Sequence, residues 1–113
     1  MHEYAITRYL LDQVLAAAQY PGATKITRIN LLVGEEAGVV PDCVRFYFDQ
    51  MKLGTAAAGA ELAFKRSQLI LRCPKCGAEF SRLDNICSCN AGADVLSGQE
   101  LTIESIEVEF PPD

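Results

Sequence analysis

Near the start of the chain, apolar residues return every three or four positions. In residues 3–19, Ile6, Leu10, Val14 and Ala18 fall on one line, Leu11 and Leu15 widen it, and Arg8, Asp12 and Gln19 lie opposite. That spacing predicts an amphipathic helix, stopped by Pro21-Gly22. From 25 to 33 the period drops to two, with Thr27, Ile29, Leu31 and Val33 on one face of a predicted strand. Gly34 ends that strand and residues 35–38 turn. Pro41 suits the first position of a second helix, where its missing N–H costs nothing. Over 41–53, Val44, Tyr47, Phe48 and Met51 share one helical face, and Gly54 terminates it. Residues 60–66 alternate again, with Leu62 and Phe64 together, and Leu69-Ile70-Leu71 either extends this strand or begins another. The last predicted strand, 100–110, changes phase: Leu101 and Ile103 share one face, then Ile106, Val108 and Phe110 take the other parity. A phase break at Glu104-Ser105 predicts a bulge or bend.

The order is α-β-α-β, a cysteine-rich stretch, then β. The last strand has no partner near it in sequence, so it is expected to return to the first sheet. The expected fold is α+β: two helices packed on a small three-stranded sheet, with an inserted zinc-ribbon-like four-cysteine module. The expected division is 1–70 plus 98–113 for the main domain and 71–97 for the insertion.

Composition narrows the function. At 113 residues and 50% hydrophobic, the chain has length for one core plus a small module. Ten Lys and Arg stand against fifteen Asp and Glu, a net charge of −5, which repels phosphate and argues against nucleic acid or an anionic membrane as the main partner. No run approaches the roughly 20 apolar residues of a membrane span. Met1-His2-Glu3-Tyr4 lacks the basic and apolar segments of a signal peptide, so the expected location is the cytoplasm. The single histidine leaves any nucleophile without a base partner, and no glycine-rich phosphate loop occurs. An enzyme is not expected.

A reducing cytosol disfavours disulfides, so clustered cysteines read as metal ligands. Residues 72–90, RCPKCGAEFSRLDNICSCN, hold Cys73, Cys76, Cys87 and Cys89 with spacing C-x2-C-x10-C-x1-C. In the first pair Pro74 sets a turn and Gly77 accepts the backbone angle after it, which puts two thiolates on neighbouring corners of a tetrahedron. The second pair has only Ser88 between its cysteines, so the chain must bend there to splay them. Four filled positions leave none for water, the arrangement of a structural Zn(II) site. The alternatives are two buried thiols beside two idle ones, a disulfide formed on oxidation, or Cys43 replacing one ligand. Iron, as in a rubredoxin-like electron carrier, uses similar ligands, but the uneven spacing and sparse aromatic cover argue against it.

The only histidine is His2. A solvated terminus is the bland reading. In the other, the Met1 α-amine, the His2 amide nitrogen and the imidazole Nδ1 close adjacent five- and six-membered chelate rings. The Glu3 amide offers a further donor if the backbone rearranges. Nitrogen donors of this kind suit square-planar Ni(II) or Cu(II) better than tetrahedral Zn(II).

Met1-His2-Glu3, Val33-Gly34-Glu35, Pro41, Phe46-Tyr47-Phe48, Gly54-Thr55, Gly59-Ala60-Glu61-Leu62, Cys73-Pro74-Lys75-Cys76-Gly77, Ser97-Gly98-Gln99-Glu100-Leu101 and Ile106-Glu107-Val108 follow one another along nearly the whole chain. In this it resembles the HypA/HybF hydrogenase nickel-incorporation proteins. The resemblance implies a nickel metallochaperone for [NiFe] hydrogenase maturation. It implies a HypB-type GTPase and the hydrogenase large subunit as partners, urease maturation proteins in some organisms, and a monomer or homodimer. It places nickel at His2, with Glu3 in the same motif, and zinc at Cys73, Cys76, Cys87 and Cys89.

Two positions depart from the family pattern. Its second cysteine pair is usually C-x2-C, one residue longer than Cys87-Ser88-Cys89, and Val40 stands before the proline where an acidic residue is common. Val40 removes any nickel contact through that side chain, and a favoured helix cap with it. Cys43 is expected as a half-buried helical thiol and Glu35-Glu36 as a solvated turn, with a carboxylate ligand as the alternative reading of the latter. The competing function is a zinc-ribbon interaction module, for protein or nucleic acid, resting on the local cluster Lys65, Arg66, Arg72, Lys75 and Arg82.

Overall fold

A computed structural model of the chain describes residues 2–19, 24–81 and 86–110. The expected helix stop at Pro21-Gly22 lies outside them, as do Met1 and Arg82. Helix α1 spans Glu3–Ala17 and buries Leu10, Leu11 and Val14 together with Thr7, whose hydroxyl donates to the Glu3 carbonyl at 2.6 Å. Strand β1 is Lys25–Gly34. Helix α2, Pro41–Met51, starts on the proline and buries Val44 and Phe48. It ends two residues before the expected limit, because the Thr55 N–H turns back to the Lys52 carbonyl at 3.1 Å and Gly54 takes a φ of +77°. Strand β2 is Glu61–Ser67, β3 is Ile70–Arg72, β4 is Glu79–Phe80, β5 is Asp94–Ser97 and β6 is Leu101–Glu109.

The strands form two three-stranded sheets. One has the order β2-β1-β6, with β1 parallel to β2 and antiparallel to β6. The last strand thus returns to the first, as its isolation in sequence requires. The other sheet, β4-β3-β5, is antiparallel and carries the cysteines. Leu69-Ile70-Leu71 accordingly enters a new strand, the second of the two readings.

Both helices pack on one face of the first sheet. Arg45 of α2 reaches over β2, donating to the Leu62 carbonyl at 3.3 Å and lying 4.9 Å from the centroid of the Phe64 ring. The core under the helices joins Leu10, Leu11, Val14, Ile26, Ile29, Leu31, Val33, Val44 and Phe48. Leu11 is fully buried, so Leu11→Ala is expected to destabilise the protein by about 2–5 kcal/mol. Urea denaturation measures this, and a loss below about 1 kcal/mol would contradict the packing.

The first sheet contains two bulges. Asn30 pairs with Ser105 and Leu31 with Ile103, so Glu104 is the extra residue, at the predicted phase break. The other corrects the sequence reading. Ile26 pairs with Val108 and Arg28 with Glu107, which leaves Thr27 unpaired, exposed and donating to the Glu107 carbonyl at 3.2 Å. Ile26, not Thr27, joins the buried face with Ile29, Leu31 and Val33, because an extra residue inverts the alternation.

The molecule is long, at 61 × 29 × 17 Å with a radius of gyration of 18.1 Å, against about 13 Å for a compact chain of this size.

Candidate metal centres

The four cysteines come from two connections of the second sheet, Cys73 and Cys76 from that between β3 and β4, and Cys87 and Cys89 from that between β4 and β5. Strand β3 runs into Cys73, which is buried at the start of a tight turn. The Gly77 N–H closes the turn on the Cys73 carbonyl at 2.9 Å, the Cys73 N–H bonds the Ala78 carbonyl at 2.9 Å, and Gly77 takes a φ of +78° that a side chain would resist. The backbone N–H groups of Lys75 and Cys76 both point at the Cys73 sulfur, each at 3.4 Å. Cys87 and Cys89 precede β5 and are half-buried against Leu71, Cys73 and Phe80. The bend demanded by the one-residue spacer is a turn at Ser88-Cys89, followed by positive φ at Asn90, 54°, and Gly92, 78°.

All four Sγ atoms lie within 4.8 Å of one another. A tetrahedral ion with Zn–S bonds near 2.3 Å needs sulfurs about 3.8 Å apart, so a small contraction closes the set. The electrostatics are those of a cluster waiting for a cation. The N–H groups of Cys76 and then Lys75 draw the Cys73 thiol down to about 6. The Cys76 and Cys87 thiols push Cys89 up to about 12. At Cys87 the Cys89 N–H favours the thiolate, but the Cys73 thiol and desolvation outweigh it and the net shift is upward. One negative charge is thus accommodated easily and a second is resisted, until a divalent ion replaces the protons. Cys43 takes no part: it is exposed on α2, not half-buried as expected, because it sits on the outward side of the inward-facing Val44.

At the other end, His2 is the exposed residue that precedes α1; its carbonyl accepts the Ile6 N–H at 3.1 Å and its side chain makes no capping bond. Glu3 opens the helix. Its Oε2 accepts the Val40 N–H at 3.4 Å, a link between the starts of the two helices that the sequence concealed. The Tyr4 and Tyr47 rings meet edge to face beside it, with centroids 5.4 Å apart. Among the described residues His2 and Glu3 join no group of three or more His, Cys, Asp or Glu with convergent ligand atoms.

Other charged candidates are otherwise engaged. Asp49 pairs with Lys52 at 3.2 Å. Glu35 and Glu36 lie in the exposed turn expected of them, and the Glu35 carboxylate in addition accepts the Leu69 N–H at 2.6 Å. Lys65, Arg66, Arg72 and Lys75 are exposed. No helix among the described residues is long and apolar enough to cross a membrane.

The chain matches, over residues 1–108, the family model described as hydrogenase/urease nickel incorporation, metallochaperone, hypA. It is similar to a protein of Dehalococcoides mccartyi named hydrogenase maturation factor HypA, 44% identical and covering 96% of this chain and 95% of that protein. A protein of Caldanaerobacter subterraneus with the same name is 38% identical and covers 96% of this chain and 100% of that one. In fold it is similar to the solution structure of the Ni metallochaperone HypA from Helicobacter pylori, with a TM-score of 0.74 at 22% identity over 98% of this chain and 100% of that one. A second solution structure, of a HypA protein, gives a TM-score of 0.76 at 23% identity over 96% of this chain and 97% of that one.

Proposed function

The chain belongs to the HypA family of hydrogenase/urease nickel-incorporation metallochaperones, and on that premise we propose that it carries Ni(II) at Met1-His2-Glu3 and passes it to the large subunit of a [NiFe] hydrogenase. The observation that supports this placement is that His2 precedes α1 and Glu3 is its first residue. The N–H groups of a helix's first turn have no acceptor within the helix. The His2 and Glu3 amides can therefore give up their protons to a metal without breaking a helical hydrogen bond. The exposed imidazole and the Met1 amine complete a planar nitrogen set suited to nickel. A weak, exposed site of this kind suits a carrier that must release its cargo.

The cysteine cluster holds Zn(II) as a resident structural ion through Cys73, Cys76, Cys87 and Cys89. The fit rests on the chemistry of four convergent sulfurs, one already favoured as thiolate by two backbone N–H groups. The ion carries the fold of residues 71–97, and residues 1–70 with 98–113 form the nickel-binding domain. No step of bond-making catalysis belongs to this chain. It works in the cytoplasm with a HypB-type GTPase, which supplies the nucleotide chemistry that this sequence lacks, and urease maturation is a second destination of the nickel. Its net charge of −5 opposes a nucleic-acid role for the exposed basic residues.

Nickel titration of the zinc-loaded protein tests the reading. His2→Ala is expected to weaken nickel binding by about 100-fold or more, since even outer partners of a metal site cost about 10–100-fold. Acetylation of the amino terminus is expected to act in the same direction. Undiminished binding in the doubly altered protein would end the N-terminal assignment.

A further inference from the structure

Two motifs take no part in either metal centre: Gly34-Glu35 at the end of β1 and Gly98-Gln99-Glu100 before β6. They meet at the neck where the chain leaves the first sheet for the second and comes back. Residues 67–70 carry it out and residues 97–101 return it. At this point the backbones of three segments touch. A Cβ built on Gly34 would lie 2.1 Å from the Gly98 carbonyl carbon, and one on Gly98 would lie 2.4 Å from Leu69 Cα. Backbone bonds stitch the same place: Glu35 N–H to the Ser67 carbonyl at 2.9 Å, Glu36 N–H to the Gly98 carbonyl at 2.7 Å, and Gly34 N–H to the Glu100 carbonyl at 2.7 Å.

Two carboxylates grip the crossing strands. Glu35 Oε1 accepts the Leu69 N–H at 2.6 Å. Leu69 packs against Leu71, Cys73 and Phe80, the small core of the cysteine sheet, so this bond joins the first sheet directly to the first residue of the second core. Glu100 Oε1 accepts both the Gly98 N–H, at 2.9 Å, and the Ser67 hydroxyl, and so spans the outgoing and returning strands. Bonds from N–H to carboxylate are charge-assisted, about twice as strong as neutral ones and more demanding of geometry.

We propose that Glu35 and Glu100 form a lock on the neck that holds the cysteine module as a rigid arm of the helix-bearing sheet instead of a flexible tether. A docking partner of the arm then meets the N-terminal face at a fixed separation and angle, with no entropy lost in ordering the joint. The proposal does not depend on where nickel binds.

Residual dipolar couplings of the full zinc-loaded chain test it. In the wild type, amides of 1–70 with 98–113 and amides of 71–97 are expected to fit one alignment tensor. In Glu35→Ala/Glu100→Ala the common tensor is lost and the two sets align separately, while each keeps its own chemical-shift dispersion and the zinc content is unchanged. Glu35→Gln/Glu100→Gln retains an acceptor oxygen at each position and restores the common tensor. Two tensors in the wild type, one tensor in the alanine pair, or a glutamine pair as loose as the alanine pair would each overturn the lock. If the alanine pair does not fold, Glu35→Ala alone is read in the same way, and the wild-type measurement stands regardless.

Discussion

Stripping the metal from the four cysteines will unfold residues 71–97 and leave the two helices and their sheet standing. The expected asymmetry follows from the two cores. Beneath the helices, buried Leu, Ile, Val and Phe side chains from α1, β1 and α2 meet in one cluster. The second cluster has only Leu71, Cys73 and Phe80 buried among the described residues, and its strands β3 and β4 run for three and two residues. Burying a Leu or Phe contributes about 1.5–3 kcal/mol, too little for so short a sheet, whereas a structural zinc ion contributes about 10–16 kcal/mol to the domain it folds. Without the ion, one thiolate at Cys73 is surrounded by thiols whose own ionisation is resisted, and nothing draws the sulfurs together. Amide spectra recorded during titration with a strong chelator give the test: signals of 71–97 collapse to random-coil positions while those of α1 and α2 hold. Cys73→Ser, which removes the sulfur that accepts two N–H groups, is expected to give the same pattern. A metal-free protein whose 71–97 amides stay dispersed would show that the short sheet folds by itself.

Gly34→Ala is the point substitution expected to cost most for its size. The added methyl would lie 2.1 Å, 2.2 Å and 2.5 Å from the Gly98 carbonyl carbon, the Gly98 oxygen and the Gln99 nitrogen. These are backbone atoms and cannot rotate away as a side chain does. Relief requires prising β1 from the returning strand, at a cost of about 3 kcal/mol or more. Gly59→Ala is the control, because nothing lies within 4 Å of its Cβ position, and there a smaller unfolded-state entropy stabilises by about 0.4–1 kcal/mol. Urea denaturation of both zinc-loaded variants decides the matter. Equal midpoints would mean that the two backbones do not approach so closely.

Local periodicity made most of the architecture legible. The stripe from Ile6 to Leu15 specifies α1, Pro41 marks the start of α2, and the parity change between Ile103 and Ile106 exposes the bulge at Glu104 before any partner strand is seen. The Cys73-Pro74-Lys75-Cys76-Gly77 knuckle is equally local, since its turn is closed by its own backbone. The second bulge was illegible because Ile26 and Thr27 are both β-branched and suit either face of a strand, so the alternation read through Thr27 without a break. Only pairing with Val108 and Glu107 chose between them. Cys43 was misjudged for a related reason: a small thiol beside Val44 reads as apolar, while its outward direction depends on how α2 rolls against β2.

The remaining features are contacts between groups far apart along the chain. Glu3 meets the Val40 N–H across 37 residues and Glu35 meets the Leu69 N–H across 34. A carboxylate in a turn looks the same in one dimension whether it faces water or a strand arriving from elsewhere. Periodicity and spacing therefore dictated the helices, the strands and the cysteine knuckle, which arise from neighbours. The neck and the tie between the helix starts had to wait for three dimensions, because a hydrogen bond between distant groups is defined by the distance between its atoms and the intervening sequence carries no record of it.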